Sequence, residues 1–360
     1  MAVKMRRHFR LFVILLVAIV VLFSAAVLLL LSGNDSRKII FLLDDEAEDD
    51  LTGHEQLQFL IDLTPMLDDP ADFQQNYGDD VIFFTETSGT GRVHVRAVCT
   101  LEAVSTFNPE THVFLVFTRN LLEISLSRNP ALADLLKRMQ NVHLATVDFR
   151  QAVKDTPLEE LSTSRLAKSP YPNEHLSDLL RLGLLWKLGG TYMDLDLLTF
   201  KSLAPIVRLK NFLTADAVDR LNTCMLGFQR NHPFLEFLMK IVSEHYDPFE
   251  YPTVPQAFNI ATRKYFDLPV ADVLAMGKVS DVSFLNVSVI SPVEYEDFMD
   301  LYGGKGKVGL VEKLLENSFG VHLWGSKSSN LKFKLQSKAP FVVLAKKLCP
   351  RAIEYTPRYL

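Results

Sequence analysis

Asp194 and Asp196 stand one residue apart at the end of the apolar run Thr191-Tyr192-Met193, just after Gly189-Gly190. In an extended chain alternate side chains point the same way. Both carboxylates then face one side, while Met193, Leu195 and Leu197 face the other and anchor in a core. No cation neighbours the pair in sequence, so the two charges repel. A divalent cation resolves that repulsion, and hard oxygen ligands suit Mn²⁺ or Mg²⁺ while leaving coordination positions for phosphate oxygens. About one chance Asp-x-Asp is expected in a chain this long, so the surroundings must decide what the pair does.

Those surroundings begin with the stretch EHLSDLLRLGLLWKL over residues 174–188, a helix with Asn173 as its expected N-cap and Gly189-Gly190 as its stop. Asp178 and Arg181 are three apart and share a face of it. Most such pairs are surface ion pairs worth little. This helix, however, is apolar over nearly its whole surface, and a narrow polar strip on it can equally face a ligand.

Upstream, Val81–Phe84, His112–Phe117 and Val142–Val147 read as buried strands, separated by helical stretches over Val93–Phe107 and Pro130–Met139. Strands alternating with helices predict an α/β domain with a mostly parallel sheet and the two aspartates at its middle. In such sheets ligands gather at strand carboxyl ends.

The chain has 360 residues, a net charge of -5 and 48% hydrophobic residues, which supports a large core and gives no reason to expect nucleic acid as a partner. From Leu11 to Leu31 it is apolar except for Ser24, long enough for a helix to cross a bilayer. Lys4, Arg6, Arg7 and Arg10 precede that run and an acidic stretch follows the pair Arg37-Lys38, so the N-terminus is expected in the cytosol. A cleaved signal peptide is the competing reading, with Ser24-Ala25-Ala26 as its poor cleavage site. The expected organisation is a cytoplasmic tail over 1–10, a signal anchor over 11–32, a stem over 33–78 and a lumenal domain over 79–360. A lumenal address permits disulfides. Cys99, Cys224 and Cys349 leave at least one thiol unpaired, and three buried free thiols remain an equal alternative. Asn286-Val287-Ser288 is a glycosylation sequon; Asn34-Asp35-Ser36 lies against the membrane.

The run Ser177-Asp178-x-x-Arg181, followed by Gly189-Gly190-x-Tyr192-x-Asp194-x-Asp196, resembles the signature of glycosyltransferases with a DxD sugar-binding region. Phe83-Phe84-Thr85-Glu86, Cys99-Thr100-Leu101-Glu102, Asn231-His232-Pro233-Phe234 and Val321-His322-Leu323-Trp324 are similar to motifs of its α1,4-glycosyltransferase branch. The resemblance implies a type A, Rossmann-like nucleotide-sugar transferase fold in a single catalytic domain. It also implies a retaining Golgi enzyme using a UDP-sugar, UDP-galactose or UDP-N-acetylgalactosamine, and a glycosphingolipid or other glycan acceptor. By position, Asp178 and Arg181 would contact the donor sugar, and Asp194 with Asp196 would hold the metal and the diphosphate. His322 would complete the metal site or else be structural. Phe84, Thr85 and Glu86 lie where uridine docks, with core packing as the alternative for Phe84. Tyr192, Asn222 and Trp324 would line the donor site, Trp324 having core packing as its alternative. The branch usually has Asn after its His-x-Trp, where this chain has Gly325, and Gly-Pro where this chain has Val254-Pro255.

Two other readings stand beside this one. A haloacid-dehalogenase-like phosphatase also uses Asp-x-Asp after an apolar strand, but usually wants Thr or Val where this chain has Leu198. A membrane-anchored, inactive transferase-like scaffold or chaperone is the non-enzymatic alternative.

Overall fold

The computed structural model describes residues 37–38, 60–118, 126, 128–250, 253–303, 309–356 and 359–360. The cytoplasmic tail, the membrane anchor over 11–32 and most of the stem lie outside the described residues. No helix among the described residues is long and apolar enough to cross a membrane. The described residues from Leu60 onward form one compact unit.

The strands of this unit are β1 (Leu60–Asp62), β2 (Val81–Glu86), β3 (His112–Phe117), β4 (Val142–Thr146), β5 (Gly190–Met193), β6 (Leu197–Thr199), β7 (Phe212–Ala217), β8 (Arg220–Phe228), β9 (Lys278–Val279), β10 (Val282–Leu285) and β11 (Gly320–His322). The main sheet runs β1-β4-β3-β2-β5-β8-β7-β10-β9. It is parallel from β1 to β5. Beyond β5 it is mixed: β8 is antiparallel to both β5 and β7, and β10 runs parallel to β7. A separate antiparallel pair joins β6 to β11. The expected α/β class holds, with a mixed sheet rather than a mostly parallel one throughout.

Both faces of the parallel half are covered, so its strands are continuously apolar rather than alternating. Ile82 and Phe84 point into one core with the Val95–Phe107 and Pro340–Leu348 helices. Val81 and Phe83 point into the other with the Pro172–Leu188, Pro233–His245 and Thr253–Phe266 helices. The folded unit already includes Leu60, so part of the segment read as stem belongs to it. Leu60–Asp62 adds a parallel strand beside β4, and Phe73 of the Ala71–Tyr77 helix is fully buried. The acidic residues around these apolar ones masked their pattern in sequence.

The Pro172–Leu188 helix starts earlier than expected, because Pro172 takes the first helical position with its fixed φ and its missing N–H costs nothing there. Tyr171, not Asn173, is the residue at the cap, and its side chain makes no capping bond. At the other end Gly189 and Gly190 have φ of 74° and 105°, the turn that returns the chain into the sheet. Cys99 and Cys349 are joined by a disulfide across the first core, and Cys224 is a buried free thiol. The alternative of three free thiols is thereby corrected.

A Cβ on Gly190 would lie 2.6 Å from Val81 Cγ2. Gly190→Ala therefore combines the strain of a positive φ with overpacking, a loss of about 2–5 kcal/mol by urea unfolding. Gly78 has φ +71 and nothing within 4 Å of a Cβ. Gly78→Ala should show the conformational part alone. Equal losses for the two variants would contradict this account of the turn.

Candidate active site

From β2 the chain moves outward through β3 to β4, then returns over the Pro172–Leu188 helix to β5 on the other side of β2. The winding direction reverses between β2 and β5. In open α/β sheets the crevice that binds ligands lies outside the carboxyl ends of the strands at such a point.

Three elements meet at that crevice. The first half of the Pro172–Leu188 helix supplies Ser177, Asp178 and Arg181. Asp178 and Arg181 are only 5% and 4% exposed, so they are no surface pair. Arg181 lies 2.9 Å from Asp178 Oδ1 and 3.3 Å from Asp194 Oδ1, and its guanidinium sits 4.3 Å above the Tyr192 ring. The second element is β5. Tyr192 donates its hydroxyl to Asp194 Oδ1 at 2.7 Å. The same hydroxyl lies 3.1 Å from Ser177 Oγ and 3.2 Å from Thr85 Oγ1 at the end of β2.

The third element is β8, whose register breaks opposite β7. Leu213 pairs with Leu226 but Thr214 pairs with Asn222, so Thr223, Cys224 and Met225 bulge out of the ladder. Bulges next to sites re-aim backbone groups. This one turns the Thr223 carbonyl toward Arg181 Nη1, at 2.7 Å, and the Cys224 carbonyl toward the Asp194 N–H, at 2.8 Å.

The two aspartates are brought together differently from the sequence reading. The chain does not continue as one strand through Asp194-Leu195-Asp196. It turns there, with the Leu197 N–H donating to the Asp194 carbonyl at 3.0 Å, and changes partner from β8 to β11. Met193 and Leu197 are buried as expected, and Leu195 is partly buried.

Through β11 the C-terminal part of the chain grips Asp196. The Gly325 N–H donates to Asp196 Oδ2 at 2.6 Å, and His322 Nε2 lies 3.2 Å from Oδ1. Trp324 makes this possible by adopting φ 51° and ψ 55°, a left-handed conformation costly for a bulky residue. Its indole N–H donates to the Val293 carbonyl and its ring lies 4.1 Å from that of His322. Gly325 has a positional reason too, since a Cβ there would fall 2.8 Å from Asp196 Oδ2.

Ligand atoms of Asp194, Asp196 and His322 all lie within 4.8 Å of one another. His322 Nδ1 is buried without a hydrogen-bond partner among the described residues. Carboxylate oxygens with one imidazole suit a hard or borderline divalent cation such as Mn²⁺. Burial pushes Asp194 up despite Arg181, with Asp196 adding to the rise. Asp196 moves down, since His322 and the Gly325 N–H outweigh its burial. His322 moves up, its burial being outweighed by Asp196, Asp194 and Asp216. Burial raises Asp178 to about 6 although Arg181 opposes it.

Other expected site residues sit elsewhere. Phe84 is fully buried in the core, so its ring does not line the crevice. Tyr192 and Thr85 are buried and brace Asp194 from behind. Glu86 accepts from the Ser88 N–H and shapes the turn after β2. Trp324, at 6% exposed, is a wall behind His322 rather than an open stacking surface. Asn222 is the last paired residue before the bulge, its Oδ1 accepting from the Cys224 N–H at 2.8 Å. The sequence reading missed Asp216 at the end of β7. Its neighbours are alanines, and only the fold brings it within the electrostatic reach of His322.

Residues 94–213, which carry the Arg181–Asp194–Asp196 side of this cluster, match the family described as glycosyltransferase sugar-binding region containing DXD motif. Residues 227–356, which carry His322 and Trp324, match the alpha 1,4-glycosyltransferase conserved region. The chain belongs to the α1,4-glycosyltransferase family. It is 29% identical over 283 residues to the lactosylceramide 4-alpha-galactosyltransferase of Homo sapiens, covering 78% of each chain. It is 28% identical over 277 residues to the human alpha-1,4-N-acetylglucosaminyltransferase, covering 75% of this chain and 78% of that one. Among solved structures, the PaToxG glycosyltransferase is similar over 52% of this chain and 69% of its own, at 17% identity and a TM-score of 0.42.

Tyr192 is the strut of this α1,4-glycosyltransferase's cluster. Tyr192→Phe leaves the buried Thr85 hydroxyl and the half-buried Ser177 and Asp194 oxygens one partner short, so unfolding stability should drop by about 1–3 kcal/mol. A variant as stable as the parent would show that the hydroxyl network does not hold Asp194.

Proposed function

We propose that this chain transfers a sugar from a UDP-sugar, UDP-galactose or UDP-N-acetylgalactosamine, in α1,4 linkage to a hydroxyl of a glycan, a glycosphingolipid by preference. The observation that carries the reading is the convergence of Asp194, Asp196 and His322 beside the buried Asp178–Arg181 pair, at the switch point of the sheet. Asp194, Asp196 and His322 would hold Mn²⁺ or Mg²⁺, which when bound supplies Lewis-acid neutralisation of the leaving diphosphate.

In this reading Asp178 accepts hydrogen bonds from donor hydroxyls and Arg181 adds charge-assisted donation. Tyr192, Gly325 and the β8 bulge fix the two aspartates before substrate arrives, so their orientation costs nothing during the reaction. The acceptor oxygen bonds to the anomeric carbon as the bond from that carbon to the UDP β-phosphate breaks. The hydroxyl proton passes to the departing phosphate oxygen, and the anomeric configuration is retained. The proposed setting is the Golgi membrane, with residues 11–32 as anchor and the domain lumenal. The Cys99–Cys349 bridge supports an oxidising compartment, and a membrane anchor suits an acceptor whose lipid lies in the bilayer. The lactosylceramide specificity of relatives supports a glycolipid acceptor.

UDP release by the purified full chain, with Mn²⁺ or EDTA and a glycolipid pool, tests the proposal across UDP-galactose, UDP-N-acetylgalactosamine, UDP-N-acetylglucosamine and UDP-glucose. Mn²⁺-dependent release from one donor is expected, and Asp196→Asn should lower it by at least about 100-fold without unfolding the chain. Wild-type turnover by that variant would sink the site assignment. The rate should also fall on the acid side as pH drops through about 6. There Asp178 gains its proton and stops balancing Arg181. A rate flat from pH 7 to 5 would remove ionised Asp178 from the mechanism.

A further inference from the structure

We infer that Asn286 carries an N-linked glycan, placed on the edge of the sheet that holds the metal cluster and clear of the cluster itself. The inference rests on the lumenal setting proposed for the domain, because only there does a chain meet the enzyme that attaches such glycans.

Asn286-Val287-Ser288 has the acceptor spacing, which alone is a weak signal. The fold supplies what the spacing lacks. Asn286 and Ser288 are both exposed. Asn286 Oδ1 accepts from the Ser288 N–H at 3.1 Å and from the Ser288 hydroxyl at 2.6 Å. The carboxamide is fixed through its oxygen, and its Nδ2 makes no hydrogen bond among the described residues. Asn108, Asn129 and Asn141 differ, since each gives its Nδ2 to a backbone carbonyl of the fold.

Nδ2 is the atom that a glycan occupies. In the transfer it bonds to the anomeric carbon of an oligosaccharide carried on a lipid diphosphate. The bond from that carbon to the diphosphate oxygen breaks, the lipid diphosphate departs, and Nδ2 gives up one of its two protons. The product keeps Oδ1 as an acceptor. Both bonds from Ser288 therefore survive, and the fold loses no hydrogen bond.

The position follows from the sheet. β8 is antiparallel to both β5 and β7, and β10 is parallel to β7, so the carboxyl end of β10 lies on the same edge as Asp194. Asn286 comes directly after the last residue of β10. The order β5-β8-β7-β10 puts it three strand spacings across, roughly 14 Å from the end of β5 and on the side away from β2.

The turn that begins at Asn286 ends in the support of His322. The Val289 N–H donates to the Asn286 carbonyl at 3.1 Å, and the Ser291 N–H to the Val287 carbonyl at 3.0 Å. The Val289 carbonyl accepts from the Phe319 N–H at 2.9 Å, and the Ile290 carbonyl from the His322 N–H at 3.0 Å. Ile290 is fully buried. The buried end of the turn holds the strand of a metal-site residue, while its exposed start offers Nδ2 to solvent. A bulky, hydrated glycan fits only the exposed end.

The test expresses the full chain in cultured animal cells and purifies it in detergent. Peptide-N-glycosidase in heavy-oxygen water should convert Asn286 to a labelled Asp, read by peptide mass spectrometry. Asn286→Asp and Ser288→Ala should each remove one glycosidase-sensitive glycan, and Ser288→Thr should keep it. Asn286→Asp retains an acceptor oxygen for the turn, so its UDP affinity by calorimetry with Mn²⁺ should stay within about twofold of the parent. Should Asn286→Asp fail to fold, Ser288→Ala carries the same comparison. An unlabelled Asn286 overturns the inference when the domain is protease-protected in sealed membranes and its Cys99–Cys349 bridge is formed; the lumenal reading then stands. A domain open to protease in those membranes overturns the lumenal reading and this inference with it. A glycan at Asn286 whose removal abolishes UDP binding overturns its placement clear of the metal cluster. A glycosylated parent that binds no UDP upholds the glycan and overturns the transferase reading alone.

Discussion

Two carboxylates held side by side, half-withdrawn from water, are the constraint to which the rest of this molecule answers. Asp194 and Asp196 repel one another, and burial raises the cost of each charge. The protein balances them from opposite directions. Arg181 and the Tyr192 hydroxyl hold Asp194. His322 and the Gly325 N–H hold Asp196. These partners come from the helix before β5, from β5 itself and from the C-terminal segment, so the site exists only when these elements and the bulged β8 have all docked. The balance is incomplete, because Arg181 also neutralises Asp178. A bound dication is the natural completion.

This dependence explains why so much of the fold ties the C-terminal segment back to the region after β2. Arg96, near the start of the Val95–Phe107 helix, donates to the carbonyls of Ser328, Leu331 and Leu360 and sits 5.1 Å from the Phe341 ring. Cys99, one turn further on, is bonded to Cys349. Glu102, another turn on, accepts from the Arg351 and Ala352 N–H groups. One face of one helix thus anchors the chain that follows His322-Leu323-Trp324-Gly325. Trp324 can then be held in a left-handed conformation that an isolated peptide would not keep.

Much of the site was readable from residue spacing. Asp178 and Arg181 share a helix face at any register, and Gly189-Gly190 dictates a turn into the next strand whatever the tertiary context. What spacing could not reveal was set by long-range pairing. Asp194 and Asp196 converge through a turn that forms because the chain leaves β8 at the end of β5 and pairs with β11 through β6, not through strand alternation. Phe84 follows the hydrophobic pattern of a strand buried on both faces, so its place at the strand end did not make it a ligand contact. Tyr192 and Trp324 were legible as important and misread in kind, since both brace other side chains from behind. Asp216 carries no local signal, and only the fold brings it within reach of His322. The strand at Leu60–Asp62 was hidden by the acidic residues that surround it.

Anomalous diffraction from crystals soaked with Mn²⁺ and UDP addresses the central claim most directly. A manganese peak between the carboxylates of Asp194 and Asp196 and the His322 ring, with the UDP diphosphate against it, is the predicted result. UDP bound with no peak there, or a peak ligated elsewhere, would contradict the account of what these residues are arranged to hold.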